Sequence, residues 1–468
     1  MKRREFLKYA GLMGAGSVLP LAPSMQLFAA QDNYTGPLWI TIEAQGGWDP
    51  TSFCDPKGYV DPTDPLRLNN YDKNNIITVG NFNVAPAPDR FAAGGDLYNK
   101  YIAPATGSSI KPLVSSVETF FNTHQQNLLV INGIDVKTLA HGDGQRHTWS
   151  GELGRGGFPN FGALVSGALA GNKPIPFLTN GGYSDGGGLV TPVRINGSGK
   201  DALAEIAYPN RSARGANPRS YFSNEVLNLI QQASASRLTD LDSAQNLPRI
   251  KTALAKLKAS RVDNTILQKF VDSLEAKSLL PPSEFRSNRV YQMYSQGSVA
   301  LSAYASGATA AAHITLGGFD THSRHDENHY MRLMDLFEGI DAIINEAQNL
   351  GINDTIVVVG SEFGRTNKYN ENANPNNVGK NHWPITSMMF IDSSGQRITG
   401  NRVIGSTTAE HKANTIDPIT LNPLAAGGVR ITPAHIHRAL RKVAGVDTTI
   451  AASSDFFIPS SEDLNLFT

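Results

Sequence analysis

The chain has 468 residues, 40% of them apolar and 18% charged, and its 41 Lys and Arg balance 41 Asp and Glu. That length suits one large domain or two smaller ones, and the zero net charge excludes a partner recruited by bulk charge, nucleic acid above all. With Cys54 as the single cysteine no intramolecular disulfide can form, so a buried core must carry the fold, and Cys54 reads as a small core hydrophobe.

The amino terminus opens MKRREFLK, with Arg3 and Arg4 ahead of an apolar, glycine-bearing stretch from Tyr9 to about Ala30. A basic start, a mildly apolar middle and a small-residue exit describe a twin-arginine (Tat) signal peptide over residues 1–30. Gly11, Gly14, Gly16, Pro20 and Pro23 interrupt the stretch, which argues against a membrane anchor of about 20 apolar residues. The expectation is export to the periplasm or beyond, with the Tat translocase as partner and no stable span in the mature form. Residues 31–468 are expected to form a single α/β domain.

Strands are predicted at Leu38 to Ala44, Asn127 to Asn132, His313 to Leu316, Thr355 to Val359 and Thr386 to Ile391. These short apolar runs scarcely alternate, as expected of strands covered on both faces in a mostly parallel sheet. A helix is predicted from His325 to Leu350, with Leu333, Met334, Phe337, Ile340, Ile344 and Ala347 on one stripe and Gly351 as its stop. Asn210 to Leu280 is polar and helical in pattern, ending at Pro281 and Pro282. It reads as a helical insertion or cap, about residues 210–282, on a three-layer α/β/α sandwich.

The conspicuous acids and histidines follow the carboxyl ends of these strands. GGWD ends at Asp49, and His141, Gln145 and His147 follow the second run. Asp320 and His322 follow the third, and Glu362 and Arg365 the fourth. Open α/β sheets bind ligands at that rim. Carboxylates and imidazoles without thiolates suit a divalent metal such as Zn, Mn or Fe, and Asn381-His382-Trp383 could bring His382 to the same edge. Arg365 offers a planar fork for an anion. By contrast His124, His411, His435 and His437 lack acidic neighbours in sequence and read as ordinary. Asp55, Asp61 and Asp64 read as a solvated loop rather than a calcium site.

Taken in order, GGWD, the His141 to Gln145 stretch, GGFDTH, SEFGRT, NHW and the closing ITPAHIHRALRKVAGVD resemble the Tat-exported domain of unknown function 1501, a relative of the alkaline phosphatase and sulfatase superfamily. The resemblance implies an alkaline-phosphatase-like fold with Asp49, Asp320, His322, Glu362 and His382 as metal ligands. It also implies a metal-dependent hydrolase of phosphate or sulfate esters, in which Arg365 and Gln145 orient the oxyanion and His141 or His147 serves as general acid or base. Two departures stand out: Glu362-Phe363 replaces the superfamily's Asp-His pair, and Ala140 stands where a nucleophilic hydroxyl is expected. They leave a second expectation open, a non-catalytic exported protein that binds a surface polymer or a protein partner.

Overall fold

The computed structural model describes residues 34–194, 203–212, 219–261, 265–277, 279–371, 374–424, 426–459 and 462–468. The expected export signal lies outside them. Seven strands build the central sheet: β1 (Leu38–Gln45), β2 (Leu128–Asp135), β3 (Phe177–Thr179), β4 (Ala311–Gly317), β5 (Thr355–Gly360), β6 (Ile385–Asp392) and β7 (Arg402–Ile404), in the order β7-β2-β6-β5-β1-β4-β3. All pairings are parallel except those of β6, which runs antiparallel to both β2 and β5.

Side-chain alternation along β1 explains the layers. Leu38, Ile40, Ile42 and Ala44 enter one core cluster, together with Leu333, Phe337 and Ile340 of a long helix. Trp39 enters the other and meets Phe161 edge to face at 5.0 Å. A strand with both faces covered has no solvent side, so its polar-looking Thr41 and Glu43 are buried as well. The result is a three-layer α/β/α sandwich. One face carries α1 (Val117–His124) and α8 (His325–Asn349), the other α2 (His141–Ser150), α3 (Phe161–Leu169) and α9 (Pro433–Val443). Between β3 and β4 come α4 (Asn224–Ser243), α5 (Pro248–Arg261), α6 (Thr265–Ala276) and α7 (Asn288–Ala305). No helix among the described residues is long and apolar enough to cross a membrane.

Register aligns the functional edge. Gln45 pairs with Gly317 and Glu43 with Gly360, so the loops after β1, β4 and β5 leave the sheet side by side. Because β6 is reversed, Ile385 at its start pairs with Asp135 at the end of β2. The segment before β6, which carries His382, therefore reaches the rim formed by the carboxyl ends of the other strands.

Candidate metal centre

Two glycines let the rim close. Gly46 and Gly47 take φ of 124° and 93°, and a Cβ at Gly46 would lie 2.3 Å from the Asp320 backbone nitrogen, one at Gly47 2.5 Å from the Phe363 ring. Only glycine accepts both demands. The turn is then stapled to the loop after β5. Gly46 N–H donates to Glu362 Oε1 (2.8 Å), Gly47 and Trp48 N–H donate to Ser361 Oγ (3.1 and 3.0 Å), and that hydroxyl donates to the Ala44 carbonyl (2.6 Å).

Around this staple, Asp320 is ringed by imidazoles. Its Oδ1 lies 3.0 Å from His322 Nε2 and 3.2 Å from His382 Nε2, and its Oδ2 lies 3.7 Å from His141 Nε2. The two nitrogens of His322 and His382 face each other at 3.2 Å. Ligand atoms of His141, Asp320 and His382 all fall within 4.8 Å of one another.

The tautomers follow from the other ring nitrogens. His382 Nδ1 is 2.9 Å from the Leu139 carbonyl, His141 Nδ1 is 2.8 Å from Glu362 Oε1 and His322 Nδ1 is 3.0 Å from Asn381 Oδ1. Each of those oxygens only accepts, so each Nδ1 carries a proton, and in the neutral ring each Nε2 presents a lone pair. With the rings neutral, the Nε2 lone pairs of His141 and His382 and the Asp320 carboxylate form one compact donor group, and His322 Nε2 adjoins it beside Asp320 and His382. That donor set fits a divalent cation, and the outer carboxylate, carbonyl and amide are the kind of partner that orients metal-bound histidine. Phe363 walls the site, its ring 4.3 Å from that of His382 and 4.9 Å from that of His141.

Electrostatics agrees with this division. Burial works against the Asp320 charge, but the Arg365 guanidinium, 2.6 Å from Oδ1, outweighs it and holds the carboxyl below its usual range. The hydrogen bond to Glu362 lifts the His141 pKa above its ordinary value.

The sequence-predicted residues divide. Asp320, His322 and His382 are brought together, and His141, expected as acid or base, turns Nε2 toward them. Glu362, expected as a ligand, is fully buried and holds His141 and Gly46 instead. Asp49, also expected as a ligand, lies outside the cluster. Its Oδ2 is 2.5 Å from Lys380 Nζ and 3.2 Å from His325 Nε2. Arg365 was expected to grip substrate, yet it is fully enclosed. It donates to the carbonyls of Gly46, Gly47 and Lys380 and to Asp320. His147 is buried with Nδ1 at 2.9 Å from the Val136 carbonyl. Six residues past His141, it points about 120° away around the helix. Gln145, one turn after His141, shares its face of α2 and is half-buried. Lys380, two residues before His382, was missed, and Asn381 was noted only as part of the Asn381-His382-Trp383 stretch.

Residues 38–455 match the family model described as "Protein of unknown function (DUF1501)". The chain belongs to this family. A search of the curated proteins finds no match. Among solved structures, this DUF1501 chain is similar to Ps i-CgsB in complex with k-i-k-neocarrahexaose, with 10% identity over 92% of this chain and 75% of that chain and a TM-score of 0.36. It is also similar to a variant of TAB5 alkaline phosphatase with Mg bound in the M3 site, with 10% identity, 88% and 98% coverage and a TM-score of 0.35. A third is the lipoteichoic acid synthase LtaP from Listeria monocytogenes, with 8% identity, 92% and 75% coverage and a TM-score of 0.32. Likeness at that level transfers no chemistry, which has to be read from the site.

Proposed function

We propose that this DUF1501 protein is an exported, metal-dependent hydrolase of phosphate or sulfate esters, with one divalent ion (Zn, Mn or Fe) held by His141, Asp320, His322 and His382. The observation that carries the reading is the set of three Nδ1-anchored imidazoles turning their Nε2 atoms toward one carboxylate. When bound, such an ion offsets developing negative charge and lowers the pKa of water beside it. The chain's own residues do the rest. Arg365 fixes Asp320, Glu362 fixes His141, and Phe363 closes one wall against water.

An ester anion has a second support at the amino end of α2. Ala140, the residue before the helix, gives no side-chain cap, and a Cβ at Gly142 would meet open space. The first-turn N–H groups are thus free for oxyanion oxygens beside the ion, with Gln145 one turn on to orient them. Because Ala140 supplies no hydroxyl, attack by water without a covalent intermediate follows.

The test is metal content and turnover together. Purified protein assayed on aryl phosphate mono- and diesters and an aryl sulfate should hydrolyse at least one of them, and lose both ion and activity on Asp320→Ala. Metal-free protein with undiminished turnover contradicts the reading. The competing reading, a non-catalytic binder of a surface polymer or protein partner, draws on Ala140 and Phe363. It gains if the ion binds but no ester is turned over. Export rests on Arg3 and Arg4, and replacing both with lysine should keep the protein in the cytoplasm.

A further inference from the structure

We infer that Lys380 is a built-in cation that takes the place of a second metal ion at Asp49, so that the rim holds one ion and not two. The inference builds on the Asp320 site above. Asp49 follows β1 at the rim, is fully buried and carries a charge that burial alone would penalise heavily. What surrounds it has the chemistry of a metal site. Besides the carboxylate there are the Asn69 amide oxygen and the His325 imidazole. A small cavity alongside is lined in part by Ser52, Asn70 and His329. Carboxylate, amide oxygen and imidazole together suit a divalent ion.

An ammonium fills that role instead. Lys380 Nζ lies 2.5 Å from Asp49 Oδ2 and 3.0 Å from Asn69 Oδ1, and 5.1 Å from the centre of the Tyr369 ring. The side chain is itself fully buried. Its backbone is pinned on both sides, the N–H donating to the Thr321 carbonyl (3.1 Å) and the C=O accepting from Arg365 Nη1 (3.0 Å). The position therefore belongs to the fold rather than to a swinging surface lysine. One short segment supplies a covalently tethered cation to Asp49 and, two residues later, an imidazole to the Asp320 site.

The experiment is a Zn(II) titration with elemental analysis and X-ray absorption on the intact mature chain. Wild type should take up one Zn(II) per chain with no zinc-zinc scattering, and Asp49→Asn should not lower that number. Lys380→Ala, or Lys380→Ser should the first not fold by circular dichroism, should take up two, the second lost when Asp49→Asn is added. Two ions in the wild type with a zinc-zinc distance of about 4 Å, or a folded Lys380→Ala that stays at one, overturns the inference. A wild type without zinc beside a Lys380→Ala variant that binds one through Asp49 sinks the Asp320 reading alone. No zinc in either sinks both.

Discussion

Two carboxylates on one rim meet opposite environments. Asp320 has a side chain 44% exposed among imidazoles, whereas Asp49 is fully buried against a lysine. Asp320 has one cation, Arg365 at 2.6 Å from Oδ1, but keeps an open side facing imidazole nitrogens, whereas Asp49 is sealed against an ammonium with no open side. The comparison teaches that position at the carboxyl edge of a parallel sheet makes a residue available to a ligand. The charge balance around it then decides whether a ligand is wanted.

The largest expected effect falls on metal binding. Asp320→Ala should weaken the ion by more than the roughly 10- to 100-fold typical of outer-sphere changes, seen as ion loss on dialysis, while the unfolding free energy of the metal-free protein changes little. If Asp320→Ala retains its ion, the two carboxylates are not distinguished as described. Stability should show the converse. Asp49→Ala strips a fully buried lysine of its partner and should cost about 3–5 kcal/mol in urea unfolding, so a neutral result would mean that the buried pair is dispensable.

Glu362→Gln tests the support of the exposed site. It keeps the shape but weakens the acceptor behind His141, and a loss of about 10- to 100-fold in metal affinity is expected with folding intact. No change would place His141 outside the ligand set.

The smallest effect concerns acid. Burial, then the neighbouring His325, holds the His329 pKa well below its ordinary value, and His329 Nε2 must stay bare because it accepts the Asp49 N–H at 2.7 Å. A histidine whose folded pKa is depressed contributes fully above its unfolded value of about 6.5. That contribution drains away as pH falls from there toward the folded value. Stability of the metal-free protein should therefore decline below about pH 6.5, with a shallower slope in His329→Gln. Equal slopes would contradict this.

Much of the frame was legible in the sequence because it is local. Five apolar runs mark the five longest strands, and the acids and histidines that follow them mark the rim. The three-residue strands Phe177–Thr179 and Arg402–Ile404 were not legible, since so short a run carries no period. The reversal of β6 was equally hidden, being set by pairing with β2 and β5 rather than by its composition.

At the site, Asp320, His322 and His382 stood out by residue type and place. What could not be read was which charges cancel. Arg365 is enclosed by backbone carbonyls of Gly46, Gly47 and Lys380 and paired with Asp320, and Asp49 finds its counterion 331 residues along the chain. Such partners are fixed by register across the sheet, which a linear reading does not show.

The central claim is that the exposed carboxylate, not the buried one, calls for the metal. Anomalous diffraction from Zn(II)-loaded crystals tests it most directly. The account predicts one peak bonded to the Nε2 atoms of His141, His322 and His382 at about 2.0–2.1 Å and to the Asp320 carboxylate, with Lys380 still on Asp49. A peak at Asp49, or none beside Asp320, would contradict it.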